Sequence, residues 1–574
     1  MGDPKQVNIN NKAVAANTYD AIVVGSGISG GWAAKELCEK GLKTLLLERG
    51  RNVEHVKDYP TASMHPWEFS GRLEVSEKDK AENPVQTTSF AYNEGCKHFF
   101  VNDQEHPYTQ SKPFNWIRGY QVGGRSLLWG RQTYRLSDLD FEANAKDGHG
   151  TDWPIRYQDI AAWYDHVETF AGISGQAEGL AHLPDGVFLP PMEMNCLEKQ
   201  FAKDIKAHYK DRMVTNGRVA NLSRGWNGRG PCQYRNLCTR GCPFGGYFSS
   251  NSATIPAAVV TGNLTLRPHA IVSEIIFDEK QNRATGVRII DEETKQTTEF
   301  FAKIIFLNAS TIGTATLLLQ STSRHFPDGF GNSSGQLGRN LMDHHSNIGA
   351  TGDYDGFADQ YYNGRRPTGV YLPRFRNISD QTKQKDFVRG YAYQADAKRH
   401  EWRDKMTMDD SFGADFKKQL ANAGSWYMWM GAFGECLPNN ENKVSLDKEK
   451  KDKWGLPLAD ISFAYGENEK AMRKDMKASA VEMLNATGFK NVQAFDFDPP
   501  GGSEVHEMGT ARMGKDPKTS VLNANNQLHD VKNVFVTDGS CMASGGCQNP
   551  SLTYMALTAR ACDFAVNELK KNNI

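Results

Sequence analysis

The sequence predicts an α/β chain organised around a parallel sheet. Three observations carry that prediction. First, an apolar run, Ala21 to Val24, enters Gly25-Ser-Gly27-Ile28-Ser29-Gly30 and continues into helix-forming residues up to Glu39. Second, another apolar run, Thr44 to Leu47, ends on Glu48. Third, the period between Asn263 and Leu307 is that of successive strands, ending in a second turn of small residues, Asn308-Ala309-Ser-Thr-Ile-Gly313.

The first two observations make a βαβ unit with a chemical purpose. Gly25 permits the tight turn, Gly27 lets the backbone approach a pyrophosphate, and Gly30 allows helix and strand to pack closely. Ile28 and Ser29 open the helix, whose N-terminal N–H groups favour phosphate. Glu48 is placed to accept from a ribose diol, and Arg49 beside it is assigned to the same site. This fingerprint alone does not separate FAD from NAD.

The totals bound the rest. A chain of 574 residues implies two to four domains, and 39% apolar with 24% charged residues implies a substantial core. A net charge of −1 supplies no field for nucleic acid or an anionic membrane. Residues 1–17 are polar and lack the apolar centre of a signal peptide, and no apolar run reaches the length of a membrane span. Neither nucleic acid nor a direct membrane span is therefore expected.

Beyond the βαβ unit, Arg51 to Phe114 reads as a long irregular excursion. Gly123-Gly124-Arg-Ser126 suits backbone running against a planar ligand, and equally an ordinary glycine turn. Gln158 to Phe170 has helical spacing. Residues 350–465 are rich in aromatics (Tyr361, Tyr362, Trp402, Trp426, Tyr427, Trp429, Phe433), which suit either a substrate-facing sheet or an aromatic core. A helix is predicted from about Glu467 to Thr487. Near the C-terminus stand His506-Glu-Met-Gly509, then Asp538-Gly539 at a strand end. Asn549-Pro550-Ser551-Leu-Thr553 follows, opening the last helix so that its N–H groups can face an electron-rich ring.

Seven of the ten cysteines are scattered, and Cys541 and Cys547 are near enough in sequence to touch without a disulfide being predicted. The other three, Cys232, Cys238 and Cys242, lie within eleven residues in a Gly- and Pro-shaped loop. That is a metal-cluster pattern, with a disulfide plus one free thiol as the alternative. Zinc normally takes four ligands, and no fourth cysteine is near.

Taken in order, Gly25-x-Gly27-x-x-Gly30 with Glu48, Gly123-Gly124-x-Ser126, Gly338-Arg-Asn-Leu-Met-Asp343, His506-x-Met-Gly and Asp538-Gly539 with Asn549-Pro550-x-x-Thr553 resemble the glucose–methanol–choline (GMC) oxidoreductases. The likeness runs from about residue 18 to 570. Within the family the chain looks most like bacterial sugar dehydrogenases and the pyranose-oxidase branch. The resemblance implies a Rossmann-like FAD-binding domain of residues 18–150, 225–350 and 490–574, carrying the cysteine loop 231–245. Residues 151–224 and 351–489 would form a substrate-binding domain built on a mixed sheet, which completes the α/β fold of that family.

It also implies roles. His506 would take a hydroxyl proton, and Asn549 would hold the alcohol oxygen. An imidazole with a pKa near working pH is expected for the base. Val272 would contact adenine through its backbone, and Ala309, Asp538, Gly539, Ser551 and Thr553 would complete the FAD site. Leu128 stands where the pyranose-oxidase branch has a flavin-linking histidine, so FAD is expected to be non-covalent.

The C-x5-C-x3-C spacing resembles the segment binding a [3Fe–4S] cluster in FAD-dependent glucose dehydrogenases. The implied activity is oxidation of a sugar or glycoside, with C3 of a glucoside favoured over C1 of glucose or C2 of gluconate. Electrons would leave to a cytochrome c acceptor. A small export and assembly subunit would carry the chain to the periplasm, with a cytoplasmic location as the alternative. An oxygen-using oxidase and a flavin-binding structural subunit are the other readings.

Overall fold

The computed structural model describes residues 8–9, 17–360, 367–401 and 412–574, so Tyr361, Tyr362 and Trp402 lie outside the described residues. Its largest sheet has eight strands. The parallel part runs Asn8–Ile9, Leu264–Arg267, Thr44–Leu47, Asn17–Val24 and Thr297–Leu307. Thr297–Leu307 also pairs antiparallel with Arg283–Asp291, which pairs with Ala270–Asp278. The last residues of Thr297–Leu307 take Val534–Val536 alongside them in parallel.

The apolar runs are continuous because both faces of this sheet are covered. Val23, Leu46, Phe306 and Phe535 pack against Ala33, Leu37, Ala561 and Ala565 of helices Ile28–Glu39 and Ser551–Lys570. Ile22, Leu45 and Ile305 face the opposite core with Ile275, Val287 and Ala315. Val24 lies opposite both Leu47 and Leu307, and Leu307 opposite Val536. Gly25, Glu48, Asn308 and Asp538 therefore leave the sheet along one edge, the carboxyl edge where open α/β sheets bind ligands.

A six-stranded antiparallel sheet forms the second layer system. Its order is Lys490–Asp496, Ile348–Tyr354, Trp426–Gly434, Tyr391–Arg399, Val370–Leu372, Thr215–Asn216. One face buries Trp426, Met428, Met430, Tyr391 and Tyr393 against helices Cys196–His208 and Glu467–Ala486. Tyr427, Trp429 and Phe433 alternate onto the other, half-open face. The aromatic run thus divides between the two readings open at the level of sequence. A three-stranded sheet of Lys443–Lys451, Pro457–Ser462 and Thr109–Gln110 shares the first core through Val444 and Ile461. Among the described residues no helix is long and apolar enough to cross a membrane.

Two glycines set how closely the first helix approaches. Gly25 has φ +92°, and a Cβ on it would stand 2.3 Å from the Asn308 carbonyl oxygen. A Cβ on Gly30 would stand 1.7 Å from the Gly25 carbonyl oxygen. Gly30→Ala is therefore expected to cost about 1–3 kcal/mol or more by overpacking, read as a lower denaturation midpoint. Gly27→Ala meets nothing within 4 Å and is expected to leave that midpoint unchanged.

Candidate active site

Along the carboxyl edge runs a cavity, walled in part by the turns that follow Val24, Leu47, Leu307 and Val536. Gly25, Gly27, Ile28, Ser29, Glu48, Arg49, Gly124, Ser126, Val272, Ala309, Asp538, Gly539, Asn549 and Ser551 line it, as does His506. Three expected residues stand behind the wall. Gly30 packs on Gly25. Gly123 donates its N–H to Ser26 Oγ at 2.9 Å. Thr553 is buried with its hydroxyl 2.8 Å from that of Tyr164.

The nucleotide end is built by buried polar contacts. Glu48 Oε2 accepts from the Ser26 amide and hydroxyl, at 3.1 and 2.5 Å, and Oε1 accepts from the Gly50 amide at 3.0 Å. Burial raises its pKa. Asp538, also raised by burial, accepts from Thr314 and Ser540, so its carboxylate ties the second turn to the C-terminal strand. The Gly-Gly segment is a single tight turn, Gly124–Leu127, and a Cβ on Gly124 would touch Gly27 Cα at 3.4 Å.

The residues present fit a bound dinucleotide. The helix at Ile28 has no side-chain cap over its N-terminus, and Gly27 opens onto empty space. Arg49 Nε, His106 Nδ1, Arg118 Nε and Asn308 Nδ2 are buried along the same cavity with no hydrogen-bond partner. Groups of that kind call for an occupant.

At the other end, the structure brings His506 and Asn549 together. His506 Nε2 lies 3.3 Å from Asn549 Nδ2. Three loops hold the histidine in place. Asp343 Oδ1 accepts from the His506 amide at 3.1 Å and Oδ2 from the Gly502 amide at 2.7 Å. Thr311 donates to the Glu507 carbonyl at 2.6 Å. Arg125, next to the Gly-Gly pair, grips the Glu507 carboxylate with both terminal nitrogens, at 3.1 and 2.6 Å.

Protonation follows from the partners. His344 Nε2 is 2.8 Å from the Gly546 carbonyl oxygen, which only accepts, so this nitrogen carries the proton. His344 Nδ1 is then a lone pair. It lies 2.9 Å from His506 Nδ1, which must donate to it. His506 Nε2 is left as a lone pair facing the cavity, the tautomer a proton acceptor needs.

Asn549 is oriented in the same way. Its Oδ1 accepts from Gln394 Nε2 at 2.7 Å, so its NH2 faces His506. Gln394 Oε1 accepts in turn from Gln132 Nε2 at 3.0 Å, and Gln132 Oε1 from the Tyr134 hydroxyl at 2.5 Å. His344, Gln394 and Gln132 were not singled out as site residues from sequence. His344 follows the Gly338–Asp343 motif directly, and Gln394 is the polar residue between buried Tyr393 and Ala395.

One expectation is corrected here. Burial, with His344 and Arg125 nearby, holds His506 well below the ordinary imidazole pKa rather than near working pH. His344 is pushed down to about 4 by burial.

Cys232, Cys238 and Cys242 are half-buried free thiols, and the other seven cysteines are also unbridged. Burial, then the neighbouring Cys238 and Cys242, raises the Cys232 pKa. Among the described residues no group of three or more His, Cys, Asp or Glu side chains is gathered to hold a metal ion. As placed, the three thiols are not gathered into a metal site.

The buried imidazoles predict a pH dependence of stability. His344 and His345, pushed down to about 4 and about 3, refuse protons that the unfolded chain takes up below about 6.5. Their contribution is therefore lost as pH falls from about 6.5 towards 4. Denaturation midpoints at pH 7 and pH 4.5 should differ less in His345→Leu than in the wild type.

Comparison with known proteins completes the picture. The family pattern described as GMC oxidoreductase matches residues 19–346 with its N-terminal part and 438–558 with its C-terminal part. The 2-methyl-1,2-propanediol dehydrogenase of Mycolicibacterium austroafricanum is 30% identical, over 96% of this chain and 95% of its own. The fructose dehydrogenase large subunit of Gluconobacter japonicus is 25% identical, over 98% of this chain and all of its own. In fold, pyridoxine 4-oxidase from Mesorbium loti superposes with a TM-score of 0.59 at 17% identity, over 95% of this chain and 98% of that one. With the dinucleotide edge, the His506–Asn549 pair and the family pattern spanning both, the chain belongs to the GMC oxidoreductase family.

Proposed function

We propose that this enzyme is an FAD-dependent dehydrogenase that oxidises a secondary hydroxyl of a sugar or glycoside, with C3 of a glucoside favoured. The observation that carries the reading is the His506 Nε2 lone pair beside the Asn549 NH2, at the end of a cavity built for a dinucleotide. A substrate oxygen placed between them donates its proton to His506 and accepts from Asn549. When bound, the flavin supplies a two-electron acceptor for the carbinol hydride. The proton taken by His506 is shared through its Nδ1–H with the His344 lone pair, which stabilises the imidazolium as it forms. Glycines 25, 27 and 124, the buried Glu48 and Asp538, and the half-buried Arg49 would hold the nucleotide. Leu128, an apolar wall residue, offers no nucleophile for a covalent link.

The full-length likeness to a fructose dehydrogenase large subunit supports a sugar and a second subunit. The likeness to a diol dehydrogenase supports a second reading, a small 1,2-diol as substrate. A cytochrome c acceptor, a signal-bearing small subunit and a periplasmic location belong to the sugar reading. The C-x5-C-x3-C spacing is the support for a [3Fe–4S] cluster.

Anaerobic spectral titration of the holoenzyme with methyl glucoside, glucose, gluconate, lactose and 1,2-propanediol tests the proposal. Bleaching by a glucoside with a 3-keto product is expected, whereas bleaching by the diol alone would replace it with the second reading. His506→Ala should slow that bleaching about 10²–10⁴-fold. The acid limb of the wild-type rate should lie below pH 6.5, since a depressed pKa keeps the base unprotonated at lower pH. Acid denaturation should release free flavin. Iron and sulfide found in the purified protein, and lost in Cys238→Ser with flavin retained, would uphold the cluster; an iron-free wild type removes it.

A further inference from the structure

Beyond the reacting centre, the half-open face of the six-stranded sheet carries an organised set of side chains. Phe433 lies at the inner end, its ring centroid 6.4 Å from that of His506. Gln394, which orients Asn549, stands on the same face. The next cross-strand row is Gln394, Gly431, Gly349 and Phe495, in register. Its middle is two glycines without side chains, so the floor there is bare backbone. The row after it is Asp396, Trp429, Thr351 and Gln493, again in register.

Trp429 leans over the glycine floor. A Cβ on Gly431 would stand 2.4 Å from Trp429 Cη2, so glycine is required for the ring to lie flat there. The Trp429 and Phe495 rings are nearly parallel, 12° apart with centroids at 6.1 Å. Phe495 and Phe497 continue the series, 23° apart with centroids at 5.6 Å, and Phe497 is 73% exposed. Three large rings thus follow one another in near-parallel pairs on the face that also carries Phe433 and Gln394. The larger core of this sheet lies on its other face, and on the near face the buried cluster takes Tyr371 and Ala392, not these three rings.

We propose that this surface is a binding platform for sugar rings beyond the one being oxidised, so that the substrate is an oligosaccharide glycoside. The proposal rests on the sugar reading above and specifies its substrate class. Aromatic rings flanked by hydroxyl and amide groups are complementary to a pyranose, whose C–H face stacks on a ring while its edge hydroxyls find Thr351 and Gln493. From Phe433 to Trp429 is four residues of strand, about 13 Å. That distance accommodates a further ring between Phe433, beside His506, and Trp429.

The test compares the holoenzyme with Trp429→Ala and Phe497→Ala, the second being an exposed change that leaves packing alone. Methyl glucoside and a linear glucose trisaccharide serve as substrates, and trisaccharide binding is measured separately by calorimetry. The platform predicts KM for the trisaccharide at least tenfold higher in Trp429→Ala and about threefold higher in Phe497→Ala, with methyl glucoside within twofold in both. Parallel changes for both substrates, or none, would overturn it. An effect confined to a 4-nitrophenyl glucoside would also overturn it, since the platform would then read an aromatic group. If the wild type oxidises no sugar, the sugar reading fails. Calorimetry then decides the platform separately, because trisaccharide binding lost in Trp429→Ala upholds it and absent binding ends it.

Discussion

The structure depends on a contact in which side chains are excluded. The carbonyl of Gly25 faces the α-carbon of Gly30 so closely that no Cβ fits between them, and Gly25 itself sits under the Asn308 carbonyl. This approach brings the first helix onto the sheet with its N-terminus at the carboxyl edge. The parallel register then sets Glu48, Asn308 and Asp538 beside it. Everything downstream, including the long return of the chain to place His506, presupposes that edge.

The His506–Asn549 pair is held from two directions. From the nucleotide side, Asp343, Thr311 and Arg125 fix the backbone and neighbours of His506. From the substrate sheet, Tyr134, Gln132 and Gln394 pass donor and acceptor roles along until Asn549 has one orientation left. His344 does the same for the imidazole. A buried chain of this kind has one consistent assignment of protons, and it leaves a lone pair where a hydroxyl proton is to be received. Burial keeps both imidazoles neutral, which stores the base in its active form while lowering its basicity.

The sheet that supplies Gln394 shows how one strand serves two purposes. Along Trp426–Gly434, alternate residues enter the methionine- and tyrosine-lined core, and the residues between them face the cleft. Gly431 is the exception that makes room for Trp429. The same alternation therefore provides stability on one side and a recognition surface on the other.

The sequence by itself determined the βαβ unit, the second strand–turn–helix and the family, and it singled out His506 and Asn549, which the fold brings together. These are local signals: glycines whose backbone demands are met within a few residues, and apolar runs long enough to require a buried strand. It did not disclose His344, Gln394 or Gln132, nor which aromatics face the cleft. Those depend on pairings between residues 155 to 262 positions apart and on which face of a strand meets a helix. Nor did it disclose the low pKa of His506, because a histidine's proton affinity is set by what buries it. Tertiary structure decided these matters, since only the folded chain brings distant donors, acceptors and low-dielectric walls to one point.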